Sequence, residues 1–244
     1  MLKKVAGYKV IKDRCLMTPQ AKTIARSKTT GLTTIAPDLD FRGQTVLVTG
    51  GADGIGASEV RALHKLGAHV IVLDIQEDKL KALEEEFKGK RITTIAFDLS
   101  EEQHQAYQDL AAKIIAACPD GKIDAYIMNA GVVKLSNGKG VSGTPGWEFR
   151  KLYQINAQSH ADIFREIAST LADDARIVVT SSPIVSRSDV NTPGYAISKG
   201  ALEAFANNIR GELVDTKQIV TGYVPPPVQN FLRTDLKPDE PYTP

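Results

Sequence analysis

The 244-residue sequence predicts a doubly wound, parallel α/β sheet. Three observations predict it. Six short β-rich runs alternate with longer helical segments from Gln44 onward, a glycine-rich turn follows the first run directly, and an acidic residue closes the second.

The runs are Thr45–Val48, His69–Leu73, Ile92–Phe97, Ile123–Met128, Arg176–Thr180 and Ile219–Val224. They are almost continuously apolar, as strands must be when helices cover both faces of a sheet. Helix punctuation agrees. Ser100-Glu101-Glu102-Gln103 reads as a capping box, and Thr192-Pro193 as an N-cap followed by proline at the first helical position. Helices are expected at about Trp147–Leu171 and Pro193–Leu213. These β/α units make one domain, residues 44–244, preceded by a basic N-terminal extension, residues 1–43. The extension is expected to hold a short helix from Thr18-Pro19 to about Gly31.

Composition narrows the function. A total charge of +1 gives no reason to expect nucleic acid or a membrane surface as partner. Residues 1–30 nevertheless hold eight cationic side chains against Asp13 alone, a local +7 that leaves −6 for the remainder. That leader reads as a solvated basic arm or as an organelle-targeting peptide. Cys15 and Cys118 have no paired or metal-ligand spacing, so no metal is expected and the chain suits a reducing cytoplasm.

Gly50, Gly54 and Gly56 stand where the first strand should give way to a helix. Glycines there let the backbone approach a pyrophosphate, and the helix N-terminus supplies donors and partial positive charge. Asp74 ends the second strand, where a carboxylate can accept from adenosine ribose hydroxyls. A 2′-phosphate there would meet that charge. At ~4 Å and an effective dielectric of ~20, each unit of like charge costs about 4 kcal/mol. Asp53 adds negative charge and Ile75 offers no cation, so NAD is expected over NADP.

Tyr195 and Lys199 are four apart on a predicted helix and share a face. A free phenol, with pKa ~10, is a poor base at neutral pH, and a neighbouring ammonium favours its phenolate. Such a phenol can exchange a proton with a carbinol. Ser182, at the end of the fifth strand, can hold the substrate oxygen beside it. Asn156 precedes that strand, and its amide is suited to hold a water linking Lys199 to solvent.

With these residues in place, roughly Phe41 to Asn230 resembles the short-chain dehydrogenase/reductase family, whose domain is a Rossmann-type sheet. Thr49 to Gly56, with Ile55 inside it, is similar to its glycine motif. Asp98-Leu99 resembles the adenine-contacting pair, and Asn129-Ala130-Gly131 the signature after strand four. Asn156, Ser182, Tyr195 and Lys199 fall in order onto the family's tetrad, and the resemblance gives Tyr195 and Lys199 cofactor contacts as well. It implies an NAD(H)-dependent oxidoreductase interconverting a secondary alcohol and a ketone. The other readings are a non-catalytic NAD(H)-binding regulator and an epimerase or dehydratase on the same scaffold.

The segment after strand six departs from the pattern. Pro226 replaces a glycine, Val228 keeps the place of the aliphatic residue that meets the nicotinamide, and Asn230 stands where the family has threonine. The family's lid, last helix and seventh strand find no room in the twenty residues after Val224, so either the chain is incomplete there or the sheet ends differently and is shortened. In the second case Ala6–Ile11, which has strand character, is expected to cover the open edge of strand six. By the resemblance, the two long helices pair across a two-fold axis, with Phe149, Phe164, Ile167, Leu202 and Phe205 as their apolar residues, giving a homodimer or homotetramer. The loop Val132–Gly146 reads as mobile, and its Lys134 and Lys139 as a solvated face.

Overall fold

The computed structural model describes residues 39–187 and 189–225. The expected helix at 18–31, the segment Ala6–Ile11 and residues Pro226, Val228 and Asn230 lie outside them. Six parallel strands form one sheet: β1 (Thr45–Thr49), β2 (His69–Asp74), β3 (Ile92–Ala96), β4 (Ile123–Met128), β5 (Leu171–Thr180) and β6 (Ile219–Tyr223). Their order is β3-β2-β1-β4-β5-β6, the doubly wound arrangement that the alternating runs predict.

Alternate residues along each strand separate into two cores. Leu47, Ile71 and Leu73 face one side, where α3 (His104–Ala116), α6 (Ser159–Ile167) and α7 (Pro193–Glu212) contribute Leu110, Ile114, Ile163, Ile167, Leu202 and Ile209. Val46, Val48, Val70 and Val72 face the other, against Val60 of α1 (Gly54–Lys65) and Leu80 and Leu83 of α2 (Glu77–Phe87). Burying one such side chain contributes about 1.5–3 kcal/mol, which explains why both faces of the inner strands are apolar.

Strand order reverses between β1 and β4, both of which pair along Val46–Val48. A crevice at the carboxyl ends of those strands is where ligands bind in open α/β sheets. A side-chain tie fixes the opposite end of the same pair, with the Thr45 amide donating to Asp124 Oδ2 at 2.7 Å.

Local details differ from the sequence expectations. β5 starts at Leu171, with a register shift before the pairing of Ala125 with Arg176. Exposed Asp173 and Asp174 give its first half the polarity of a loop. The segment 100–103 is not a capping box, since α3 begins at His104. Asp98 turns the chain by accepting from the Ser100 amide, and Glu101 Oε1 accepts from the amides of Glu102 and Gln103, all at 2.8 Å. Pro193 does open α7, but the Thr192 hydroxyl donates to Asp189 instead of capping.

The expected helix at 147–171 is broken into α5 (Gly146–Tyr153), a π-helical turn (Gln154–Gln158), α6 and a short 3₁₀ turn. Phe164, Ile167 and Leu202 lie in the core and Phe205 packs against it, so burial within the subunit explains them. The exposed apolar residues on α5 and α7 are Trp147, Tyr153 and Ile197. The loop 132–146 is tied down and includes the short helix α4 (Gly140–Gly143). Ser136 bonds through its amide to Asn191 O and through its hydroxyl to Val190 O, while Lys134 lies over the Trp147 ring and 3.3 Å from Glu148. Lys134 is therefore a pin within the fold.

Candidate active site

The glycine turn joins β1 to α1. Gly56 must be glycine, because a Cβ there would stand 2.1 Å from Gly50 O and 2.6 Å from the Asn129 amide nitrogen. Asp53 caps α1, accepting from the Gly54 amide at 2.8 Å, and its carbonyl takes the Ala57 amide. The first-turn amides of Ile55 and Gly56 have no partner within the helix, leaving donors at its positive end.

Asp74, at the end of β2, is buried. Its Oδ2 accepts from the Ala52 amide at 3.0 Å and its Oδ1 from the Gln76 amide at 3.0 Å, so the carboxylate is fixed against the glycine turn. Ile75 beside it is exposed. Lys79, in the first turn of α2, reaches Asp53 Oδ2 at 2.7 Å. This contact holds the Asp53 carboxyl below its usual range. Sequence reading missed Lys79, and only the phase of α2 brings it there.

Asn129 ties β4 to the same turn. Its amide nitrogen donates to Thr49 O and Gly50 O at 3.1 and 3.2 Å, and Thr49 Oγ1 accepts from the backbone amides of Asn129 and Ala130. His160, also missed, is fully buried between the Tyr126 hydroxyl and the Ala130 carbonyl, 3.3 and 3.1 Å away. Burial holds its imidazole neutral, with a pKa down to about 4. Asp98 is exposed, whereas the Leu99 side chain is in the core, which leaves its backbone for any ligand.

Gly131 follows, flanked so closely that a Cβ would be 3.2 Å from Lys199 Nζ and 3.3 Å from Asn156 Oδ1. Asn156 lies in the π-helical turn, fully buried. Its Oδ1 accepts from the Val132 amide at 2.7 Å, and its nitrogen donates to Val132 O and Ser198 Oγ at 2.8 and 2.9 Å. Both donors are spent on protein acceptors, so the expected water-holding amide is first a clamp between the strand-four turn and α7.

Lys199 is buried, with Nζ donating to Thr180 O at 2.9 Å. Desolvation lowers its pKa to about 8. Two of its three N–H donors remain for other acceptors. Ser182 ends the stretch after β5, its hydroxyl accepts from the Ile184 amide at 3.3 Å, and it lies on the side of the cleft where the Tyr195 phenol sits. Burial pushes that phenol above its usual pKa, and the nearby Ser182 hydroxyl pulls it partly back. The expected depression by Lys199 is not part of this balance, because the ammonium is turned to Thr180 and its own charge is disfavoured.

Ser182, Tyr195, Lys199, Asn156 and the 129–131 turn thus meet at the carboxyl ends of β4 and β5, while Asp53, Asp74 and the turn 50–56 meet at those of β1 and β2. A helix N-terminus with free amides, a fixed carboxylate and a lysine with spare donors, aligned across the switch point, fit an extended dinucleotide. Among the described residues no group of His, Cys, Asp or Glu is placed to hold a metal ion, and no helix is long and apolar enough to cross a membrane.

The short chain dehydrogenase family model matches residues 44–241. A 3-oxoacyl-acyl-carrier-protein reductase of Rickettsia bellii is 28% identical over 200 residues, covering 81% of this chain and 76% of the relative. An oxidoreductase of Escherichia coli shares the fold with a TM-score of 0.76 at 25% identity, over 84% of this chain and 83% of its own. A Shigella flexneri protein solved as a complex with NADP gives 0.76 at 25% identity, over 84% and 85% of the two chains. With its glycine turn, strand-four signature and the Ser182, Tyr195 and Lys199 cluster gathered on one sheet edge, the chain belongs to the short-chain dehydrogenase family, oxidoreductases that use a nicotinamide cofactor.

Proposed function

We propose that the chain is an NAD(H)-dependent oxidoreductase interconverting a secondary alcohol and a ketone, with Tyr195 as the acid/base. The observation that carries this reading is the convergence of Ser182, Tyr195 and the buried Lys199, whose Nζ meets Thr180 O at 2.9 Å, at the carboxyl end of β5. A bound nicotinamide would supply the hydride to, or accept it from, the substrate carbon. Tyr195 gives a proton to the carbonyl oxygen in reduction and takes it from the hydroxyl in oxidation. Ser182 holds that oxygen against the phenol. Lys199 would direct its spare donors to the nicotinamide ribose, and Asn156 fixes the turn that flanks it.

The amides of Ile55 and Gly56 would face the pyrophosphate, and Asp74 the adenosine ribose hydroxyls. Asp98, Leu99, Asn129, Ala130 and Gly131 would line the remainder of the cofactor, and Val228 its nicotinamide. Two carboxylates at the ribose end, Asp53 and Asp74, support NAD over NADP. The name of the Rickettsia relative, a carbonyl reductase, is in keeping with ketone chemistry. Exposed Trp147, Tyr153 and Ile197 support association into a homodimer or homotetramer.

Following NADH absorbance across a panel of alcohols and ketones tests the reaction. Net NADH formation separates a dehydrogenase from an epimerase or dehydratase, which regenerates its cofactor, and binding without turnover would favour a regulator. Tyr195→Phe should lower turnover about a hundred- to ten-thousandfold while NADH still quenches protein fluorescence; near-parental turnover rejects the assigned role.

A further inference from the structure

Asp53 and Lys79 form a pair that the reaction itself does not use. The Ala52 amide donates to Asp74 Oδ2 at 3.0 Å, so the next residue, Asp53, is held beside the end of β2. One oxygen of Asp53 caps α1 through the Gly54 amide at 2.8 Å, and the other takes Lys79 Nζ at 2.7 Å. Lys79 stands in the first turn of α2, next to Glu77 and Asp78. Both side chains of the pair are partly exposed, at 45% for Lys79 and 39% for Asp53, so a ligand can reach them.

We infer that Asp53 masks Lys79, and that this pair sets the choice between a free 2′-hydroxyl and a 2′-phosphate on the adenosine ribose. The inference rests on reading the Asp74 end as the ribose site. With Asp53 charged, the ammonium is already neutralised. An incoming 2′-phosphate, carrying nearly two negative charges, then meets Asp53 and Asp74 with one shared cation between them. A ribose hydroxyl adds no charge and needs only the Asp74 carboxylate as acceptor. Removing the charge at position 53 while keeping a capping oxygen would turn Lys79 into a free ammonium beside the ribose, a ready counter-ion for phosphate. Lys79 is thus a phosphate ligand held out of use, and Asp53 the specificity-determining residue that holds it.

The test needs no substrate. Dissociation constants for NADH and NADPH are measured by fluorescence titration on the full chain and on Asp53→Asn, Asp53→Ser, Lys79→Ala and the double variant Asp53→Asn/Lys79→Ala. Asn and Ser both keep a side-chain oxygen for the Gly54 amide, so one can stand in if the other folds poorly. In either variant the ratio of the NADPH to the NADH dissociation constant should fall about tenfold, and adding Lys79→Ala should return it to the starting value or above. An unchanged ratio overturns the inference. So does a fall that survives in the double variant, since mere relief of repulsion would then be its cause. If the unaltered chain binds neither nucleotide, the ribose-site reading falls and the inference goes with it; if it binds NADH while the ratio ignores Lys79, the inference alone is lost.

Discussion

Lys199 is a cation at 3% exposure with one protein acceptor, and the fold bears a cost for keeping it there. Its pKa is about 8 in the native state, below the ordinary lysine value of 10.5, so the native state binds fewer protons than the unfolded chain between those two pH values. The penalty is therefore fully present below pH 8 and shrinks as pH rises toward 10.5. The 2.5-unit difference corresponds to roughly 3 kcal/mol at most. Lys199→Met should raise the urea midpoint at pH 7 while abolishing turnover, with its advantage fading above pH 8. A variant less stable than the parent at pH 7 would show that the Thr180 bond outweighs the desolvation. The identity of such residues is legible in the sequence, because Tyr195 and Lys199 sit one helical turn apart and Ser182 ends a strand. Their partners are not. That Asp53 meets Lys79, or that Asn156 spends its amide on Val132, depends on where loops and helix starts fall by a residue or two, and local pattern does not fix that.

Elements were legible where periodicity is strong and less so at their ends. The inner strands announce themselves as apolar runs, yet β5 hides its first half behind Asp173 and Asp174, and the true start of α3 lies beyond an apparent capping box. The π-helical turn has no sequence signal of its own; Asn156 and its three hydrogen bonds are its visible correlate. Within this region His160 joins α6 to β4 through Tyr126 and the Ala130 carbonyl. Its native pKa of about 4 lies below the ordinary histidine value of 6.5, so the unfolded chain binds the extra proton first. Stability should then fall as pH drops from 6.5 toward 4, by roughly 3 kcal/mol over the 2.5-unit window, and level off below it. Denaturant titrations of the parent and His160→Gln across that range check this, since the glutamine variant should lose that part of the slope. Equal slopes would place the acid sensitivity elsewhere.

At the scale of the whole molecule, the doubly wound parallel sheet was legible in the alternation of β and α segments, while the strand order itself came from the structure. The inner residues of α6 and α7 were readable as apolar but not as inward-facing; Phe164 and Phe205 meet each other edge to face, with ring centroids 5.8 Å apart. The surface left for association holds Ile197, 52% exposed on α7. If copies of the 26.4 kDa chain pair there, light scattering should give twice or four times that mass, and Ile197→Glu should shift it toward the monomer. A monomeric parent would defeat the pairing. One further consequence belongs to synthesis. β1 is the first strand of the domain to leave the ribosome, yet it lies in the middle of the finished sheet, and its partner across the switch point comes 79 residues later, as Val46 against Ala125. At about 5–20 residues per second, the growing chain carries one bare hydrogen-bonding edge of its central strand for roughly 4–16 s. The cofactor cleft, which opens between β1 and β4, cannot exist before that wait is over.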